Sequence, residues 1–251
     1  MFYVPMCFNI DKIKWRNKMI TKKFFFILFA LTISSFAFAQ TKSFDEEIAP
    51  WHKKAVMTCG MLKNMDSFDQ QKFIKNLDEL EAELKVLSEK YLNNPPTEYA
   101  KDPQWKTYLE DLQDNTNVIR GRIEKKQYRL AQKYCPFYCM TFGKMHRNNG
   151  RTDLTDVMFM WRAEIKNAMD MFVAGNVDGA KNHLEMIERV YGKVKTYKQK
   201  KNDAKFNELF TPVEEIVKVW KEGVEQKDIK KAKTNFDKFM NEFGKPYMYT
   251  L

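Results

Sequence analysis

The chain has 251 residues, of which 44% are hydrophobic and 30% charged, and its formal net charge is +10. Half of that charge lies in residues 1–39, which hold six basic residues and one acid and leave +5 for the rest. In the rest, lysines and glutamates are interspersed along helix faces, as on solvated surfaces, so the charge distribution argues against a nucleic-acid groove.

Residues 1–39 have the pattern of a leader that contains a secretory signal peptide. Lys22 and Lys23 precede an apolar segment, residues 24–36, and a small-x-small cleavage site ends at Ala39. A positive flank, a short apolar core and such a site together are typical of exported proteins. The sequence therefore predicts cleavage after Ala39 and a periplasmic or secreted location.

The leader fixes the predicted division of the chain. The signal itself is residues 19–39. We interpret residues 1–18 as the result of a start codon assigned too far upstream, with translation beginning at Met19. An uncleaved membrane anchor is the alternative, but the apolar segment is shorter than the roughly 20 residues that span a bilayer. Residues 40–251 are expected to form the exported domain, without stable membrane insertion.

Helical periodicity dominates residues 40–251, and no segment alternates as a strand does. The predicted fold is all-α, either stacked helix hairpins or a bundle of roughly seven helices. A first helix is predicted over about 46–65. Ser67 is the predicted N-cap of the second helix, which ends before the Asn-Asn-Pro-Pro sequence at 93–96.

A long third helix is predicted to begin at Asp102 and Pro103, an N-cap followed by an N1 proline. Its apolar stripe continues to Leu130, and Pro136 is expected to end or kink it, because proline lacks a backbone donor. A short helical segment, residues 137–146, follows.

The second half of the chain reads as two helix hairpins, with Gly175 and Asn176 as the tight turn of the first. A shift of 52 residues superposes their apolar positions, which indicates either an internal duplication or two unrelated amphipathic hairpins. Each hairpin has an apolar face that it cannot bury alone, so the units must stack. A division of the domain near residue 150 is left open.

One cluster of soft ligands is a candidate metal site. On a helix, Cys135, Cys139 and His146 share a face, and Met145 lies on its edge. Two thiolates one turn apart suit Cu(I) or Zn(II), and methionine and histidine extend a copper site. Cys59 would add a third thiolate if the first helix packs here.

A structural disulfide is the competing interpretation of the same cysteines. An exported protein would commonly join Cys59 to Cys135 or to Cys139, which leaves one thiol over. Three unbridged thiols are the remaining alternative.

Catalytic motifs are absent from the sequence. It has no glycine-rich phosphate loop, nucleophile elbow or His-Glu-x-x-His pattern, and the Cys-x-x-x-Cys spacing fits neither haem attachment nor a dithiol redox site. His52 and His183 are interpreted as packing or surface residues. The sequence thus predicts a non-enzymatic binding or scaffold protein that engages a protein partner, with no cofactor; a copper or zinc protein is the alternative.

Overall fold

The computed structural model describes residues 42–251, and the predicted leader lies outside them. The described residues contain helices and turns but no strand, so the all-α prediction is confirmed. None of their helices combines the length and the apolarity needed to cross a bilayer. The α-helices are α1 (Phe44–Gly60), α2 (Gln70–Tyr91), α3 (Trp105–Glu124), α4 (Tyr128–Tyr134), α5 (Pro136–Asn148), α6 (Leu154–Val173), α7 (Val177–Lys201), α8 (Ala204–Glu225), α9 (Ile229–Glu242) and α10 (Gly244–Thr250).

The first helix is shorter than predicted and the second begins later. α1 ends at Gly60, and two 3₁₀ turns connect it to α2. Ser67 lies in the second of these turns, so it is not the N-cap. Asp69 takes that role, and its carboxylate accepts a hydrogen bond from the Lys72 amide at 3.0 Å. A carboxylate there also complements the positive end of the helix dipole.

The third helix does not continue to the proline. It ends at Glu124, and Lys126 adopts a left-handed conformation with φ of 54°, which closes the helix and starts the new helix α4. Leu130 consequently turns outward, with 39% of its surface exposed. Pro136 begins α5 instead of ending α3, because the first residue of a helix needs no amide donor.

The predicted hairpin turn between α6 and α7 is confirmed. Gly175 has φ of 79°, and the Asn176 side chain caps α7 by accepting a hydrogen bond from the Gly179 amide at 2.8 Å. In the last hairpin, α8 and α9 approach closely at Gly223. A Cβ atom on Gly223 would lie 2.7 Å from the backbone nitrogen of Ala232, so only glycine fits.

Buried side chains of the described residues form two apolar clusters. The N-terminal core joins α1 to α5 and includes Trp51 and Tyr138. The C-terminal core joins α6 to α10 and includes Trp161 and Trp220. Cys139 of α5 belongs to the C-terminal core, so the two cores meet at this helix. Residues 44–251 group as one unit, and the division near residue 150 stays a prediction.

The aromatic end of the chain is helical and docked. Only 7% of Tyr247 in α10 is exposed, and the Thr250 carbonyl accepts a hydrogen bond from the Thr155 hydroxyl at 2.8 Å. Lys53 of α1 donates to the Met248 carbonyl at 3.2 Å. The terminal helix is therefore held by both halves of the molecule.

Candidate functional site

The three cysteines of the described residues separate into one disulfide and one thiol. Cys59 at the end of α1 is bonded to Cys135, with a Cα–Cα distance of 5.7 Å. Cys139 is a buried free thiol whose sulfur accepts a hydrogen bond from the Tyr247 hydroxyl at 3.1 Å. Of the two pairings that the sequence left open, the structure has Cys59 with Cys135.

The predicted soft-metal ligands have four different surroundings. Cys135 is in the disulfide and has no thiolate to offer, and Cys59 is withdrawn with it. Met145 is buried in the N-terminal core, Cys139 belongs to the C-terminal core, and His146 contacts the carboxylate of Asp156. In this arrangement the ligands of the expected Cu(I) or Zn(II) cluster do not meet at one point. Although they share a helix face, each packs against a different part of the molecule.

A cavity of about 370 Å³ lies where the two cores meet, and we call it the junction cavity. Helices α1, α5, α6, α9 and α10 contribute to its wall, together with the disulfide and the thiol. Most of the wall is apolar, and the apolar side chains are Val56, Met57, Pro136, Phe159, Met240, Phe243, Tyr247 and Met248.

Arg162 of α6 lines this cavity without a carboxylate partner among the described residues. Burial lowers the pKa of its guanidinium, and the ionisable groups near it are Tyr247 and Cys139. Burial also raises the pKa of Cys139 to about 11 and the pKa of Tyr247 above its ordinary value. Both neighbours are therefore uncharged at neutral pH, and the guanidinium has no counter-charge within residues 42–251.

Lys63 adds a second positive charge at the exposed rim of the cavity. Partial burial and the charge of Arg162 lower the pKa of its ammonium group. Elsewhere on the described surface many cations do have acidic partners. Examples are Lys54 with Glu79 and Glu83, and Arg120 with Asp78 and Glu81. The junction cavity is thus a place where positive charge remains uncompensated.

A second cavity, of about 400 Å³, lies between α7 and α8 and has a different character. Its wall is rich in glutamates, and some of its charges are paired. Lys198 contacts Glu214 at 2.7 Å, and Lys221 contacts Glu188 at 2.5 Å. Because glutamates outnumber lysines in its wall, this cavity has the opposite charge character to the junction cavity.

Besides the junction cavity, the structure contains a buried polar cluster around His146. Its Nδ1 lies 2.7 Å from a carboxylate oxygen of Asp156 and 3.5 Å from Asp153, and its Nε2 lies 3.6 Å from Asp45. Burial alone would lower the pKa of His146, but the contacts with Asp156 and Asp45 outweigh it and raise the pKa to about 10.

The same cluster extends to α1 and to the start of α6. Asp45 accepts a hydrogen bond from the Tyr99 hydroxyl at 2.7 Å and pairs with Arg151. Although burial alone would raise the pKa of Asp45, His146, Tyr99 and Arg151 lower it below its ordinary value. His52 lines the same small cavity, of about 80 Å³, as His146.

Sequence reasoning found His146 but missed the residues around it. Asp153 and Asp156 have the spacing of a capping pair, a signal for a helix start and not for a site. Arg162 directly follows Trp161 on an apolar helix face, and that unusual position was the available signal. Comparisons of the chain with protein-family models, curated proteins and solved structures found no match.

Proposed function

We propose that this protein is an exported, non-enzymatic binding protein that holds a small anionic amphiphile in the junction cavity. Such a ligand has an apolar body and a carboxylate or similar anionic head. The observation that carries the proposal is Arg162, a partly buried guanidinium that faces an apolar cavity and has no acidic partner among residues 42–251.

The chemistry of the cavity matches this class of ligand. A volume of about 370 Å³ falls within the roughly 300–1,000 Å³ range of small-molecule sites. The planar guanidinium suits a bidentate contact with a carboxylate, and such charge-assisted hydrogen bonds are among the stronger ones in proteins. Lys63 at the rim adds attraction for an approaching anion.

Two further features support an exported binding role. The Cys59–Cys135 disulfide fits an oxidising compartment, in agreement with the leader predicted over residues 1–39. The ionisable groups inside the cavity are also poor catalysts, because Cys139 holds its proton well above neutral pH. The protein partner predicted from the sequence stays a prediction.

The test measures the binding of octanoate by isothermal titration calorimetry, with octanol as the uncharged match. We expect octanoate to bind more tightly than octanol. Arg162→Met keeps the length of the side chain but removes its charge, and should weaken octanoate binding by roughly tenfold to a hundredfold, since hydrogen bonds to charged groups contribute about 1.5–3 kcal/mol. Its effect on octanol should be small.

Arg189→Met is the matched control, because Arg189 is exposed on α7 and does not line the cavity. It should leave octanoate binding unchanged. Equal affinity for octanoate and octanol, or equal losses in the two arginine variants, would contradict the proposal.

A further inference from the structure

Asp45, His146 and Asp153 come from three separate elements and meet in the buried polar cluster. Asp45 lies in the first turn of α1, His146 in the last turn of α5, and Asp153 directly before α6. Each offers one ligand atom, and these atoms all lie within 4.8 Å of one another. A single ion placed among them would be within reach of all three.

Asp156 orients the imidazole of His146 for such a role. Its carboxylate lies 2.7 Å from Nδ1, and it also accepts a hydrogen bond from the Asp153 amide at 3.3 Å. The opposite nitrogen, Nε2, is buried and lies 3.6 Å from Asp45, and no group among residues 42–251 is within hydrogen-bond distance of it. A carboxylate hydrogen-bonded to one ring nitrogen, with the second nitrogen facing the ion, is the arrangement seen at many histidine metal ligands.

His52 supplies an independent observation. Only 7% of this residue is exposed, and its buried Nε2 has no hydrogen-bond partner in the part of the chain that the structure describes. It lines the same cavity of about 80 Å³ as His146, Asp45 and Asp153. Buried polar atoms are nearly always hydrogen-bonded, so two orphaned imidazole nitrogens beside one cavity call for an explanation. A cavity of this size also has room for an ion and a water molecule.

The charges of the cluster favour a cation. Three carboxylates, those of Asp45, Asp153 and Asp156, surround the imidazole, and Arg151 pairs with Asp45 alone at the edge. Three carboxylates and one arginine leave an excess of negative charge, which a divalent cation would balance.

We propose that Asp45, His146 and Asp153 bind a divalent transition-metal ion, with Asp156 as the group that orients His146. Zinc is the best match, because a set of one imidazole and two carboxylates with an open position suits its usual four-coordinate geometry. His52 is placed to supply the fourth ligand or to bond a metal-bound water. This site is separate from the junction cavity and does not depend on the proposed function.

The test uses the protein purified without an affinity tag, stripped of metal with a chelator and titrated with Zn²⁺ in a calorimeter. Native mass spectrometry counts the bound ions. One tightly bound zinc per chain is expected. Asp153→Asn should lower the affinity at least about tenfold, and it is a mild change because nearly half of the Asp153 side chain is exposed.

His183→Ala is the matched control. It removes the other histidine–carboxylate pair, in which His183 lies 2.6 Å from Glu164, and should leave the affinity unchanged. Asp45→Asn is a second ligand variant in case Asp153→Asn folds poorly, and circular dichroism in chelator checks both. An absence of stoichiometric binding, or binding that survives both ligand variants, would mean that the cluster is only an ion-pair network and would overturn the proposal.

Discussion

His52 shows how burial alone can make one residue sensitive to pH. Its ring stacks on Phe142 with centroids 4.1 Å apart and an interplanar angle of 20°. Burial lowers the pKa of His52 to about 3; the charge of Asp156 opposes the shift and that of His146 adds to it. The folded protein thus keeps this imidazole neutral where the unfolded chain would protonate it.

The direction of the resulting pH dependence follows from that lowered pKa. The contribution of His52 to stability is fully present above the unfolded pKa of 6.5 and is lost as the pH falls toward about 3. Between about pH 7 and about pH 5, this one group should remove roughly 2 kcal/mol from the free energy of unfolding. His52→Leu should lose less stability over that range, as measured by urea unfolding in the presence of chelator.

The comparison between variants isolates His52 from the other titrating groups. His146, with its pKa raised to about 10, changes stability in the opposite sense, because its contribution is present below 6.5 and is lost as the pH rises. His183→Leu, outside the cluster, serves as the control and should behave like the wild type. If His52→Leu and the wild type lose equal stability, His52 is not held neutral in the folded state.

The sites could be predicted from the sequence only in part, for a reason that operates at the residue scale. The sequence names His146 as a candidate ligand, which stays a prediction, and helical spacing assigned it thiol neighbours. Its actual neighbours include Asp45, about a hundred positions away in the chain, and only the packing of α1 against α5 brings the two together. The importance of Arg162 is equally hard to predict from the sequence, because only the fold shows that it has no carboxylate partner among the described residues.

At the scale of the element, the last hairpin depends on one glycine. At Gly223, α8 approaches α9 so closely that a Cβ atom would lie 2.7 Å from the Ala232 nitrogen and 3.0 Å from its Cα. Both contacts are to backbone atoms, which cannot rotate away. The helices must therefore separate to admit even one methyl group.

Two glycine variants should consequently change stability in opposite directions. Gly223→Ala should destabilise the protein by about 1–3 kcal/mol, since overpacking outweighs the better helix propensity of alanine. Gly192→Ala in α7 is the matched variant, because no atom of the described residues lies within 4 Å of its added Cβ. It should stabilise by up to about 1 kcal/mol. Urea denaturation of both variants is the measurement, and equal effects would show that α8 and α9 are not in close contact.

Element types were more predictable than element ends. The all-α prediction and the hairpin of α6 and α7 are confirmed, because burial of one helix face follows directly from periodicity. The break after Glu124 was missed, since no glycine or proline marks it and Lys126 supplies the left-handed residue. Pro136 was predicted to end or kink the third helix, but it begins α5. Proline is compatible both with the end of one helix and with the start of the next.

At the scale of the whole molecule, the disulfide cross-links the N-terminal core beside the junction cavity, because Cys59 and Cys135 both pack against that core. Helices α1, α5 and α10 bring the two cores together, and the disulfide between Cys59 and Cys135 forms part of the cavity wall. That bond joins residues 76 positions apart and so closes a long loop in the unfolded chain. Cross-links over long loops stabilise mainly by restricting the unfolded state.

The pairing of the cysteines can therefore be tested through both chemistry and stability. Without reductant, the unfolded chain should expose one alkylatable thiol among the three cysteines of residues 42–251, and peptide mapping should place it at Cys139. Labelling at Cys135 instead would indicate the alternative pairing of Cys59 with Cys139, and labelling at all three would exclude a disulfide.

Replacing Cys59 and Cys135 together with alanine should lower the free energy of unfolding by about 2–5 kcal/mol. Cys139→Ala should cost less, about 1 kcal/mol, because it mainly removes the hydrogen bond from Tyr247.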